Sequence, residues 1–320
     1  MNDFAVVLEN VLQVLTAGLL VGSIYALMCV GLGLIFGVMR VINFAQGEFL
    51  MLGMYATLYA FTGLNLGVML GSYIGPIVGA LIAGVVLYFA GLLMHRYLLM
   101  RVTGIRVVGS EGEGHYPQLI LTLGVSLVVA NAGLIFFGSM PQTVRTPLST
   151  TAWEIGPFIG DHVSIFLNKA RSVAFLVSVA IAVALYRFIG RTRIGKTLRA
   201  AADNPEAATY MGIDVDRAHS IAFALGCAIT AVAGGLVATY YPFQPYVGLD
   251  FVIIMYAGVV LGGMGSIVGA FWGGLTIGLV QQLSTLVLPV QLQNAAIFVV
   301  FLLIVLIRPE GLFGRNVERT

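Results

Sequence analysis

The chain is a succession of long apolar runs parted by short polar connections. A helix needs about 20 apolar residues to cross the hydrocarbon of a bilayer. Runs of that kind fall at roughly 11–38, 44–62, 68–93, 117–138, 172–189, 219–240, 250–264, 266–287 and 294–307. The pattern predicts an all-α polytopic membrane bundle of about nine spans, with eight or ten left open because several runs are short or broken by Gly. Backbone in lipid finds no outside hydrogen-bond partners, so only helices or a closed barrel can span. A barrel requires segments of about ten residues that alternate apolar and polar positions. The unbroken apolar run 297–307 does not alternate. The whole chain, 1–320, therefore reads as a single transmembrane domain. Its two largest hydrophilic segments are 139–171 and 190–218.

Charge placement gives this bundle a direction. Arg96, Arg101 and Arg106 lie in one connection; Arg187, Arg191, Arg193, Lys196, Arg199 and Arg217 lie in another; Arg308, Arg315 and Arg319 lie in the tail. With nine spans all of these share one side, and Arg40 joins them. The positive-inside rule then places the C-terminus in the cytoplasm and the N-terminus outside. Segment 139–171, with Arg145, Lys169 and Arg171, becomes external, and 190–218 becomes cytoplasmic. The N-terminal run carries Asp3 and Glu9 and no basic residue before Arg40, which argues against a cleaved signal.

Composition supports the same class and excludes others. Hydrophobic residues make up 59% of the chain and charged ones 9%, with a mean hydropathy of +0.99; a soluble chain carries about 25% charged residues. A net charge of +2 from 16 basic and 14 acidic residues gives no reason to expect a nucleic-acid partner. Cys29 and Cys227 sit in apolar runs and read as buried thiols. His95, His115, His162 and His219 share no metal-ligand spacing, and no GxSxG elbow occurs, so the residues point to neither a metalloenzyme nor a hydrolase.

Gly recurs 40 times, and small residues repeat every four positions at Gly18, Gly22 and Ala26, at Gly71, Gly75, Gly79 and Ala83, and at Gly265, Gly269 and Gly273. This spacing lets helices approach closely in lipid. Segments 34–53 and 259–278 align without gaps, sharing Gly37/Gly262, Met39/Met264, Ile42/Ile267, Ala45/Ala270, Leu50/Leu275 and Gly53/Gly278. Such an echo hints at a duplicated half, as many transporters have.

Residues 190–197, Gly-Arg-Thr-Arg-Ile-Gly-Lys-Thr, satisfy the letters of a phosphate loop. A working loop needs a preceding strand, and a membrane span precedes this one, so it reads as a cationic stretch beside anionic lipid. The residues that follow carry more. Asn204 can cap a helix, Pro205 suits its first position, Glu206 complements the dipole and Gly212 is a natural stop. A helix of about seven residues does not hold alone in water, so something else must hold it.

Here a resemblance becomes specific. Glu206-Ala207-Ala208, three residues, then Gly212 resemble the EAA-x-x-x-G coupling motif of ABC-importer permeases. The run 199–213 is similar to branched-chain amino acid permeases, as are Asn43-Phe44-Ala45-Gln46-Gly47-Glu48 (Gln46 standing where His is usual), 262–266 and 308–314. The resemblance covers about 15–314. It implies one of two membrane subunits, the second identical or homologous. Two cytoplasmic ATPases would bind ATP and magnesium, this chain binding no cofactor itself. An extracytoplasmic solute-binding protein would deliver solute. The chain would lie in the inner membrane of a bacterium, with Glu206, Ala207, Ala208 and Gly212 docking into a groove of a cytoplasmic ATPase. The solute expected is a branched-chain amino acid or a similar small polar molecule, with urea, amides or aromatic acids as alternatives. An ATPase-independent channel or secondary transporter is a further alternative.

Polar residues inside the apolar runs remain. Asn43, Gln46 and Glu48 fit a solute path, with Glu48 answering an ammonium. They equally fit a helix start: Asn43 as cap, Gln46 reaching back, Glu48 at the positive dipole end. Asn131, Gln281, Gln282 and Asn294 suit interhelical hydrogen bonds, and Asp250 suits an external helix start. Tyr97, Trp153, Tyr240 and Tyr241 near the run ends read as interface anchors; as an alternative, the external segment with Trp153, Pro157 and Phe158 would touch a delivery protein.

Overall fold

The computed structural model describes residues 2–103, 116–158, 163–308 and 310–313. Arg106, His115, His162, Pro309, Gly314, Arg315 and Arg319 lie outside the described residues, as do the side chains of Asp3, Pro157 and Phe158. In chain order the elements are α1 (Asn2–Met39), α2 (Gln46–Gly63), α3 (Leu66–Met94), a π-helical turn (His95–Leu99), α4 (Met100–Thr103), α5 (Tyr116–Phe137) and α6 (Pro147–Thr150). A hairpin of β1 (Ala152–Phe158) and β2 (Val163–Asn168) follows. Then come α7 (Lys169–Arg191), α8 (Arg193–Asp203), α9 (Pro205–Tyr210), α10 (Val215–Val237), α11 (Val247–Gly262), α12 (Ile267–Ser284) and α13 (Gln293–Ile307).

Each of the apolar runs holds a helix. Among the described residues 6 helices are long and apolar enough to cross a membrane: α1, α3 with its continuation to Val102, α5, α7, α10 and α12. The other three are shorter or more polar: α2 has 18 residues, α11 has 16 and α13 has 15. Of the nine helices in these runs, six meet the length and hydropathy of a membrane crossing, and α2, α11 and α13 fall below that mark by composition or length.

The core is built around α1. Ile24, Ala26, Leu27, Met28, Cys29 and Ile35 are fully buried, and α1 packs on α7, α10, α11 and α12. Its small residues set the distance to α12: Gly18 lies against Leu279, Gly22 against Gly278, and Ala26 against Gly274. Side chains here would force the two backbones apart, and in lipid no hydrophobic drive exists to pull them back. The other two glycine stripes each lose their first member. Gly71 (φ 76°) kinks α3 and Gly265 (φ 92°) lies in the turn before α12. Both adopt a backbone that side chains rarely tolerate, which breaks the repeat that would have put them on a helix face. Gly75 still abuts Leu66, and Gly269 and Gly273 still meet Gly262 and Gly258.

The hairpin is a departure from an all-helical reading. β1 and β2 pair antiparallel, Ala152 opposite Asn168 and Ile155 opposite Ile165. It seats on the N-terminal part of α1: Gln13 Nε2 donates to Phe166 O at 2.8 Å, and Phe166 N donates to Gln13 Oε1 at 2.9 Å. Near the other end of α1, Arg40 Nη2 donates to Ala202 O in α8 at 3.4 Å. The hairpin and the α8–α9 segment thus stand at opposite ends of a 38-residue helix, about 57 Å long at 1.5 Å per residue. The phosphate-loop letters at 190–197 fall on the junction of α7 and α8. Thr192 Oγ1 accepts from Gly195 N at 3.0 Å and caps α8, and a helix stands where a phosphate loop needs a strand.

Candidate functional site

Past Arg40 (φ 55°) the chain folds back into the bundle. Val41, Asn43 and Ala45 are buried, and α2 begins beside Gly226 and Thr230 of α10. Asn43 is not the cap of α2. The cap position is Ala45, which makes no side-chain bond. Asn43 Oδ1 instead accepts from Ala45 N at 3.1 Å, closing an Asx-type turn that delays the helix. Gln46 does reach back, but to a side chain: Asn43 Nδ2 donates to Gln46 Oε1 at 3.0 Å. Its Nε2 donates to Thr230 Oγ1 at 2.6 Å and to Gly226 O at 3.2 Å. A buried carboxamide so satisfied ties α2 to α10.

Glu48 sits one step further in, 1% exposed. Ser126 of α5 donates to its Oε1 at 3.1 Å, while its Oε2 has no partner. Gly47 next to it is pressed on Gly248, in the first turn of α11. A Cβ on Gly47 would run into Gly248 O, and one on Gly248 would come within 2.7 Å of Gly47 O. Two helix starts therefore cross inside the bundle, backbone on backbone, with a carboxylate at the crossing. The positive ends of the two helices favour that charge, whereas a buried and half-paired carboxylate is costly. Transporter sites are built from such interrupted helices whose N-termini meet within the membrane. Gly47, Ser126, Thr230 and Gly248 belong to this site and were not marked as its members by the sequence. Gly47 stood inside a flagged motif; the others carry no local signal, because only folding brings them there.

At the far end of α1 the short helix forms as its sequence requires. Asn204 Oδ1 accepts from Ala207 N at 3.0 Å, Pro205 is the first helical residue, and Gly212 (φ 80°) ends the turn. The helix is one residue shorter than expected, closing at Tyr210. Ala208 packs inward, 6% exposed, while Tyr210 and Met211 are 87% and 82% exposed. Glu206 stands in the first turn beside the positive dipole end.

The other marked residues divide. Asn131 Nδ2 donates to Leu127 O at 2.7 Å within its own helix, so it bridges no neighbour. Gln281 stands beside Tyr25 of α1. Asp250 lies in the first turn of α11, three residues beyond its start. His95 and His219, far apart in sequence, come near each other, with Phe223 beside His95 at 5.9 Å between rings. Among the described residues no group of three His, Cys, Asp or Glu side chains could hold a metal ion.

The structure defines the class of a polytopic helical membrane protein, with polar groups on interior joints and one capped short helix between two long ones. The chain belongs to the family described as "Branched-chain amino acid transport system / permease component", which it matches over residues 14–307. It is 30% identical over 305 residues to the high-affinity branched-chain amino acid transport system permease protein LivH of Escherichia coli K12, across 95% of this chain and 96% of that one. It is 31% identical over 308 residues to the corresponding BraD permease protein of Pseudomonas aeruginosa, again across 95% and 96%. A probable branched-chain amino acid transport permease protein LivH of Methanocaldococcus jannaschii is 25% identical over 276 residues, 85% of this chain and 81% of that one. No solved structure matches significantly. The chain is thus a multi-pass inner-membrane transport subunit of an ABC system that works with partner subunits, and not an enzyme.

Proposed function

We propose that this chain is the permease subunit of an ATP-driven importer that passes branched-chain amino acids, or small polar solutes like them, into the cytoplasm. ATP and magnesium belong to two partner ATP-binding subunits. A second membrane subunit completes the path, and an extracytoplasmic binding protein delivers the solute. The C-terminus and the α8–α9 segment face the cytoplasm; the hairpin and the N-terminus face outside, the orientation the cationic connections favour.

The observation that carries this reading is α9. A six-residue helix is too short to persist alone in water. It is capped at both ends, anchored by Ala208, and presents Glu206 with an exposed apolar tip, Tyr210 and Met211. That is the form of a lever held by another protein. Its motion has a route inward. Through α8 it reaches Ala202, which Arg40 grips, and Arg40 begins the turn that delivers Asn43, Gln46 and Glu48. Closure of the ATPases would shift α8–α9, draw on that turn, and rock α2 against α11 where Gly47 meets Gly248. The surroundings of Glu48 would then open to one side at a time.

The test is uptake by the assembled transporter in proteoliposomes. Glu206→Lys and Gly212→Val are expected to abolish ATP-dependent leucine uptake while insertion into the membrane stays intact. Unaltered uptake in both variants would overturn the role of α9.

A further inference from the structure

The hairpin end of the bundle contains a cavity of about 310 Å³ that none of the features above uses. It lies between α1, the start of α7, the α10–α11 connection, the end of α12 and Gln293. Its polar lining is Arg171, three tyrosines (Tyr25, Tyr240, Tyr241) and three glutamines (Gln281, Gln282, Gln293); Val21, Val237 and Phe251 supply an apolar wall. Among the described residues that line it none is acidic; Asp250 stands outside the lining, near Tyr241.

Arg171 is out of place by ordinary helix rules. It occupies the first turn of α7, where the helix dipole favours anions and opposes cations. Its guanidinium lies over the Tyr240 ring, 5.3 Å from the centroid. Tyr240 can hold that cation by its face but cannot neutralise it. The guanidinium fork is shaped to take a carboxylate through two parallel hydrogen bonds. The carboxamide oxygens of the glutamines and the tyrosine faces suit an ammonium, and Val21, Val237 and Phe251 suit a small aliphatic side chain. Charge, hydrogen bonding and apolar wall therefore match the three parts of one kind of molecule.

We propose that this cavity is the outer receiving site for the solute, where Arg171 binds the carboxylate of a free α-amino acid with an apolar side chain before it passes to the α2–α11 crossing. The proposal rests on the importer reading above, because it places the cavity on the side from which solute arrives.

The test uses the assembled membrane and ATPase subunits in nanodiscs, without the delivery protein. L-leucine, L-leucinamide and 4-methylpentanoate serve as probes in equilibrium binding. Leucine is expected to bind at least 10-fold more tightly than leucinamide, which lacks the carboxylate, and more tightly than 4-methylpentanoate, which lacks the ammonium. Arg171→Gln is expected to weaken leucine at least 10-fold, to the level of leucinamide. Arg171→Lys, which keeps a cation but not the fork, is expected to fall between them. Gln293→Leu, at the edge of the cavity, is expected to weaken leucine severalfold and serves if Arg171→Gln fails to assemble. Equal binding of leucine and leucinamide, or wild-type leucine binding in Arg171→Gln and Gln293→Leu, would overturn the proposal. Leucine uptake by the complete system, with delivery protein and ATP, is measured alongside. Wild-type uptake with unchanged variant binding sinks the cavity alone. No uptake of leucine or other amino acids by wild type sinks the importer reading itself.

Discussion

Single residues set the closest joints of this molecule, and their replacement separates packing from chemistry. Gly248→Leu puts a side chain into the Gly47 backbone. Overpacking of that kind costs about 1–3 kcal/mol or more, so thermal unfolding in detergent should fall by several degrees. Gly124 in α5 has nothing within 4 Å of an added Cβ, so Gly124→Ala should be neutral or stabilising by up to about 1 kcal/mol. Equal losses in both variants would show that the α2–α11 crossing is not tight. The bond from Gln46 to Thr230 is a second such joint. A double-mutant cycle with Gln46→Leu and Thr230→Val should give a coupling of about 0.6–1.7 kcal/mol, the range of hydrogen bonds between membrane helices. At this scale the sequence was partly legible. It marked Asn43, Gln46 and Glu48 as polar residues in an apolar setting. It could not reveal their partners, because Ser126, Thr230 and Gly248 look like ordinary span residues until the helices pack.

Among the elements, helices were legible and their interruptions were not. A run of apolar residues announces a helix wherever lipid must be crossed, and every such run formed one. What hid was where a helix begins inside the bundle. The break at Arg40 reads as an ordinary connection between runs 11–38 and 44–62, yet Arg40 at positive φ and the Asn43 turn fold the chain back into the core. The hairpin was missed for the opposite reason. Its residues are mixed, and only the grip of Gln13 on Phe166 shows why two short strands persist. Exposed hydrogen bonds of this kind contribute about 1 kcal/mol. Gln13→Ala should therefore speed amide exchange at Phe166 without lowering the unfolding temperature by more than a degree or two. The α8–α9 segment read most faithfully, since Asn204, Pro205 and Gly212 each act locally. Arg40→Ala removes its tie to the α1–α2 turn; under the proposed function, ATP hydrolysed per leucine imported should rise severalfold while the transporter still assembles. An unchanged ratio would place the transmission elsewhere.

Over the whole molecule, a polar cavity stands near the hairpin, a crossing of helix starts lies inside, and the exposed short helix α9 stands at the other end of α1. α1 runs the length between them and is buried through most of its span, which suits a rigid strut against which the short helices move. Under the function proposed above, this bundle supplies no driving force and is moved through α9 by nucleotide-hydrolysing partners. Leucine uptake into proteoliposomes measures this directly, comparing the chain alone, the full assembly with ATP, and the full assembly carrying Gly212→Val. Uptake is expected only from the unaltered assembly with ATP. Transport by the chain alone, or undiminished transport by the Gly212→Val assembly, would contradict it.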